Sequence, residues 1–412
     1  MKLLYNFSIQ LYALAIRLVS LWNPKAKQWV VGRKKWHSKL ISAMVEKNNV
    51  HWFHCASLGE FEQARPLIEK IKKEVSSASI LVTFFSPSGY EARKNYEFAD
   101  YVCYLPLDTK SNALRFVSAM NLTRVYFVKY EVWPHFFQEL KNKNIPFYLI
   151  SATFRENQIY FNPAGKWFKR ILSLATCIFV QDDASQRVLS SHNIGSLVTG
   201  DTRYDRVFET AKRAVSNAVI EEFSRSKFTL IAGSSWEKEE EFVSESFYEL
   251  SKSFKVVFAP HDISENHIKG ILDRFQDETK VMCYSQVTEG VNLLNYDVLI
   301  LDNIGLLSNA YQYGSVAFVG GGFTNALHNI LEPATFGLPV FFGNNHQKFP
   351  EANEMALHGA GIQVSDLLGF QSKLNELIQD RGKLDKMKNT NIEFISARIG
   401  AADLVFDSTM KS

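Results

Sequence analysis

Residues 51–85 read HWFHCASLGEFEQARPLIEKIKKEVSSASILVTFF. The run 51–56 has the length and the aromatic content of a buried strand. It breaks at Ser57-Leu58-Gly59-Glu60, and 61–75 continues as an amphipathic helix. A second apolar strand follows at 80–85. Strand, helix and strand with no hairpin turn between them predict a parallel unit with a crossover helix.

The same alternation extends outward. Further strands are expected at 124–129, 146–151, 177–181 and 196–199, with helices at 88–96 and 135–142. A second series has strands at 229–232, 255–259, 297–301, 316–319 and 339–342, and helices at 238–250, 265–275 and 371–380. The fold class is therefore α/β, with two parallel-sheet units joined near 203–225. The expected divisions are an arm at 1–45, a first unit at 46–205 and a second at 206–412. In such sheets ligands bind outside the carboxyl ends of the strands, and two such units predict a cleft.

The 412 residues suit two domains, and 46% hydrophobic with 22% charged residues excludes a disordered chain, a collagen-like fibre and a simple coiled coil. Four cysteines, Cys55, Cys103, Cys177 and Cys283, are widely spaced and form no C-x-x-C. They read as lone core thiols of a reducing compartment. Residues 1–45 carry eight Lys or Arg and no acid, while the remainder carries 38 basic against 43 acidic side chains. The positive charge belongs to one arm, which argues against nucleic acid as a partner.

That arm begins LLYNFSIQLYALAIRLVSLW at 3–22. It has the length of a spanning helix but includes Asn6, Ser8, Gln10 and Arg17. No small-residue cleavage site follows, so a retained anchor fits better than a cleaved signal. Lys25 to Lys39, with Trp29 and Trp36, suits an anionic membrane surface. A first helix packed on its own domain is the plainer alternative.

Candidate chemistry sits at the strand ends. Gly59 permits a tight turn after the first strand. Glu60 then opens a helix, either as a helix-start carboxylate or as a general base beside Ser57. Ser86, Ser88 and Gly89 follow the second strand as an N-cap or an anion contact. Glu131 precedes Trp133-Pro134 as a cap, a buried partner or a substrate contact. In the second unit Ser234 and Ser235 follow a strand, and His261 follows Pro260. Gly320, Gly321 and Gly322 precede His328, Asn329 and Glu332. Three glycines allow close approach to a phosphate, and Glu332 suits ribose hydroxyls. There is no G-x-x-x-x-G-K-[ST], no well-placed G-x-G-x-x-G and no H-E-x-x-H, so nothing in the sequence calls for a metal.

Together these motifs resemble the 3-deoxy-D-manno-octulosonic acid (Kdo) transferases, membrane-associated glycosyltransferases of the GT-B fold. The resemblance covers nearly the whole chain. It rests on the apolar N-terminus, His54-x-x-Ser57-Leu58-Gly59-Glu60, Phe84-Phe85-Ser86-Pro87-Ser88-Gly89, Glu131-x-Trp133-Pro134, Gly200-Asp201-x-x-Tyr204-Asp205, Ala232-Gly233-Ser234-Ser235, and Val319-Gly320-Gly321 with His328-Asn329-x-x-Glu332-Pro333. It implies a metal-independent, inverting transfer of Kdo from CMP-Kdo to a lipid A precursor such as lipid IVA, in lipopolysaccharide synthesis. It implies no resident cofactor, Glu60 as base, and CMP held by Ser234, Ser235, His261, Gly320–Gly322, His328, Asn329 and Glu332. It places the chain on the cytoplasmic face of the inner membrane, with Arg33, Lys34 and Lys35 forming a basic entrance for a phosphorylated lipid. One departure is His261, where the family commonly has Arg; Lys348 is the alternative phosphate contact. Two other readings are a GT-B enzyme with a different nucleotide sugar and a non-catalytic nucleotide-sugar or lipid binder.

Overall fold

A computed structural model describes residues 1–225, 227–250, 253–276 and 278–411. The chain divides into two units, Met1–Arg206 with Ile399–Ser412, and Val207–Arg398.

The first unit has seven strands: β1 Val50–Cys55, β2 Ser79–Phe84, β3 Tyr101–Tyr104, β4 Leu122–Val128, β5 Phe147–Ala152, β6 Cys177–Val180 and β7 Leu197–Val198. They lie in the order β3-β2-β1-β4-β5-β6-β7, and every pairing is parallel. β1, β2 and β5 are buried at every residue. Unbroken apolar strands need cover on both faces. One core gathers Trp52, Phe116, Phe127, Phe136 and Phe137, and another gathers Phe53, Phe61, Ile68, Phe84 and Tyr126.

The second unit has β8 Thr229–Ser235, β9 Lys255–Pro260, β10 Val281–Cys283, β11 Val298–Ile300, β12 Val316–Val319, β13 Val340–Gly343 and β14 Gly361–Val364. Their order is β10-β11-β9-β8-β12-β13-β14, again all parallel. Each sheet reverses its winding at a central strand. The switch lies between β1 and β4 in one unit and between β8 and β12 in the other, which is where such sheets bind ligands.

Three strands escaped the sequence pattern: β3, β10 and β14. All three are sheet edges of three or four residues, and each is partly exposed. An edge strand has one covered side and needs no continuous apolar run. The expected second unit at 206–412 also needs correction. Residues 399–412 belong to the first unit, where the helix Ala401–Met410 packs on the helix Leu58–Glu74.

The N-terminal arm folds into the helices Lys2–Val19, Pro24–Gly32 and Trp36–Met44. Trp29, Leu40 and Met44 are buried in the first unit. Arg33 is not part of an open basic entrance. Its guanidinium donates to the carbonyls of Leu105 (2.8 Å), Trp29 (3.1 Å) and Phe85 (2.9 Å) and lies 3.9 Å above the Trp29 ring. Burial pushes it down to about 9. Lys34 and Lys35 stay exposed. Among the described residues no helix is long and apolar enough to cross a membrane. On Lys2–Val19, Tyr5 donates to Asp108 (2.6 Å) and Ala13 is buried, while Leu3, Phe7, Leu11, Leu14 and Leu18 are exposed along one face.

Candidate functional site

β1 ends at Cys55, and the chain turns at Ser57 into the helix Leu58–Glu74. Ser57 is extended and caps the helix by accepting the Glu60 N–H at 3.4 Å. Glu60 reaches back so that its Oε2 accepts the Ala56 N–H. This reciprocal arrangement resembles a capping box. Oε1 takes no hydrogen bond among the described residues. Glu60 is therefore a helix-start carboxylate in fact, yet its environment is that of a base. Burial, and then the negative charge of Glu131, push its carboxyl up to about 7, against the opposing pull of the Ala56 N–H, Lys129 and the Ser57 N–H. A carboxylate poised near neutrality is suited to take a proton from a hydroxyl. Gly59 is not needed for the turn. Its φ is not left-handed, and a Cβ there would meet nothing within 4 Å.

Glu131 follows β4, where Lys129 adopts a left-handed φ of 59°. Its Oε2 accepts the Trp133 Nε1–H at 3.1 Å and lies 3.7 Å from Nε2 of the buried His54. Behind it, His54 Nδ1 meets Thr83 Oγ1 at 2.9 Å, and Trp52 Nε1 donates to the same hydroxyl at 2.8 Å. Strands β1, β2 and β4 thus place Glu131 and its supports beside Glu60. Thr83 and Trp52 look like ordinary strand residues in the sequence; the register of β1 against β2 sets Thr83 beside His54, and Trp52 lies two residues before His54 on the same strand.

Ser86 caps the helix Pro87–Arg93 by accepting the Gly89 N–H at 3.4 Å, and Ser88 Oγ lies 3.2 Å from Ser86 Oγ. Of the two readings for this segment, the structure displays the cap. Gly89 serves packing, since a Cβ there would fall 2.6 Å from the Phe84 ring.

In the second unit β8 runs three residues beyond expectation, to Ser235, with Ser234 left-handed at φ 49°. Ser235 is buried and its hydroxyl donates to Glu240 at 3.0 Å, so it turns inward. The glycine loop after β12 lies directly against backbone. A Cβ on Gly320 would stand 2.0 Å from the Ser234 carbonyl, and one on Gly322 would stand 2.3 Å from Gly343 N. These glycines permit backbone packing between β8, β12 and β13. Gly321, at φ 82°, donates its N–H to Glu239 at 3.0 Å. Glu239 also accepts the Trp236 N–H at 3.1 Å, and burial pushes its carboxyl up to about 6. It ties the turn after β8 to the loop after β12. The acidic run 237–241 hid it as one more helix-start acid.

His261 and His328 do come together, with ring centroids 4.7 Å apart. Asn329 Nδ2 donates to Glu332 Oε1 at 3.1 Å, and Ser308 donates to Oε2 at 3.0 Å. The helix that carries Glu332, Leu331–Thr335, has only five residues, so it supplies little dipole. Lys348 is exposed. Among the described residues no three His, Cys, Asp or Glu side chains gather into a cation site.

The family described as 3-Deoxy-D-manno-octulosonic-acid transferase (kdotransferase) matches residues 34–206. That span includes Glu60 and Glu131. A 3-deoxy-D-manno-octulosonic acid transferase of Aquifex aeolicus is 27% identical over 343 residues, 79% of this chain and 85% of the relative. One of Haemophilus influenzae is 24% identical and covers 95% of this chain and 93% of its own. Among solved structures, UDP-GlcNAc 2-epimerase from Neisseria meningitidis superposes with a TM-score of 0.60 at 17% identity, covering 88% of this chain and 99% of that one. Acinetobacter baumannii MurG gives 0.54 at 13% identity, covering 89% and 100%. At these identities the structural likenesses speak for the fold alone, and that fold is GT-B.

Proposed function

We propose that this chain is a glycosyltransferase of the 3-deoxy-D-manno-octulosonic acid transferase family, a reading its family match and relatives support, and that it moves Kdo from CMP-Kdo to a lipid A precursor with inversion. The observation that carries the reading is Glu60, a buried carboxylate at the switch point of the first sheet, pushed up to about 7. In the proposed reaction Glu60 removes the proton from an acceptor sugar hydroxyl. The resulting oxygen attacks the anomeric carbon of Kdo, and the bond from that carbon to the phosphate oxygen breaks. CMP departs with the electron pair. Ser234, His261, His328, Asn329 and Glu332 of the second unit are the proposed nucleotide contacts, with no resident metal or cofactor assigned a step.

A lipid acceptor implies work at a membrane surface. The exposed stripe Leu3, Phe7, Leu11, Leu14 and Leu18, close in sequence to Lys25, Lys27, Lys34 and Lys35, supports association with an anionic bilayer. We place the protein on the cytoplasmic face of the inner membrane.

The test is release of CMP from CMP-Kdo, with and without a tetraacylated lipid A precursor. Glu60→Gln keeps an acceptor for the Ala56 N–H but cannot take the proton. Acceptor-dependent release should fall by roughly 10²–10⁴ in this variant and in Glu60→Ala. Wild-type release that both variants retain would remove Glu60 from the chemistry.

A further inference from the structure

Trp236 stands outside the residues that the sequence singled out, yet it completes the group formed by His261 and His328. It is the N-cap residue of the helix Glu237–Glu249, at the carboxyl end of β8. Its ring stacks on His261 with centroids 4.5 Å apart and planes 18° from parallel. Its Nε1 lies 3.3 Å from His328 Nε2.

An indole N–H can only donate. His328 Nε2 must therefore accept, which places the ring proton on Nδ1 of a neutral imidazole. Burial and the neighbouring His261 both push His328 down, in keeping with a neutral ring. The backbone holds all three rings in place. Trp236 N–H is bound by Glu239 (3.1 Å), His261 N–H donates to the Ser235 carbonyl (3.0 Å) and His328 N–H donates to the Gly320 carbonyl (3.1 Å). Trp236 is 38% exposed, so no core demand accounts for an indole here.

We propose that Trp236 is a positioning residue for the nucleotide donor: it fixes His328 in the Nδ1–H form, so that one directed N–H meets the donor's phosphate beside His261, which stands where the resembled family commonly has an Arg. The inference rests on the donor reading above. A neutral imidazole gives up the long-range attraction of a guanidinium and keeps a single oriented hydrogen bond.

Trp236→Phe separates the two contacts, because it preserves a ring over His261 and removes the N–H. In the full chain, this variant should bind CMP about 5-fold more weakly, the value of one ordinary hydrogen bond. Cytidine, which lacks the phosphate, should bind the variant and the wild type equally. In protein carrying ¹⁵N-histidine, the ring nitrogens of His328 should show the Nδ1–H form in the wild type and a mixture of forms in Trp236→Phe, with Trp236→His as the donor-restoring control. Unchanged CMP affinity together with an unchanged His328 signature overturns the proposal. Equal weakening of CMP and cytidine overturns the phosphate assignment and makes Trp236 a base-stacking surface. A wild type that binds no CMP, with the Trp236-dependent signature present, overturns the donor reading and the nucleotide part of this proposal while the fixing of His328 stands.

Discussion

The Oε2 atom of Glu60 accepts the Ala56 N–H, so the carboxylate is held against the end of β1 by the backbone that delivers it. That contact lowers its affinity for a proton, yet burial and the charge of Glu131 outweigh it and leave the group at about 7. A base acts when ionised, so kcat/KM should rise with pH through that value. Glu131→Gln removes the repelling charge and keeps an oxygen for the Trp133 N–H. Glu60 then ionises more readily, and the acid limb of the kcat/KM profile should move down by roughly 1 pH unit. A limb that stays in place, or moves upward, would show that Glu131 does not tune Glu60. Glu60 was legible in the sequence because a strand, a short turn and an acid occur in succession. Glu239, Thr83 and Trp236 were not. Their roles depend on residues from 29 to 92 positions away, as in Thr83 with His54 and Trp236 with His328. The local pattern gives each an ordinary explanation as a strand or helix-start residue.

Among the elements, the helix Lys2–Val19 is covered on one side and exposed on the other. Tyr5 reaches Asp108, Asn6 meets His135 at 2.7 Å and the Tyr12 ring stacks on Phe85. The sequence displayed an apolar helix, but the inward face is set by partners in other parts of the chain and could not be chosen from the helix alone. The outward residues Leu3, Phe7, Leu11, Leu14 and Leu18 recur every three or four positions, the spacing of one helical face. Transfer of one such side chain out of water gains ~1.5–3 kcal/mol. Replacing all five by Gln should therefore reduce binding to vesicles of phosphatidylethanolamine and phosphatidylglycerol by more than roughly 100-fold. The thermal midpoint should hold, because these side chains support no core. Sedimentation with vesicles and near-UV circular dichroism read the two quantities. Full vesicle binding by the folded variant would refute this face as the membrane contact.

Across the whole molecule, the chain passes from the first unit to the second after Arg206 and returns after Arg398. The returning helix Ala401–Met410 was invisible to sequence reading, since nothing in its local pattern marks which of two similar cores its apolar side will join. The structure shows what receives it. Asp205 accepts the Gly400 N–H at 2.6 Å and the Ala402 N–H at 3.1 Å, capping the helix from another part of the chain. Arg124 donates to the Thr409 carbonyl at 2.6 Å, Tyr126 donates to the Thr409 hydroxyl at 3.2 Å and Lys70 pairs with Asp403 at 2.6 Å. Val405 joins the core of Phe53, Phe61 and Tyr126. These contacts make the helix Ala401–Met410 a part of the first unit, which carries Glu60. Asp205→Ala should cost about 2 kcal/mol, because two helix-start N–H groups lose their acceptor. Truncation after Arg398 should cost more, at least ~3 kcal/mol, by uncovering the Tyr126 face as well. Hydrogen exchange distinguishes a local effect from a general one. In both variants, amides of β4 and of the helix Leu58–Glu74 should exchange faster, while β8, β12 and β13 keep wild-type protection. Equal loss of protection in both units would mean that the helix does not serve the first unit selectively. Unchanged exchange in the truncated protein would mean that it serves neither.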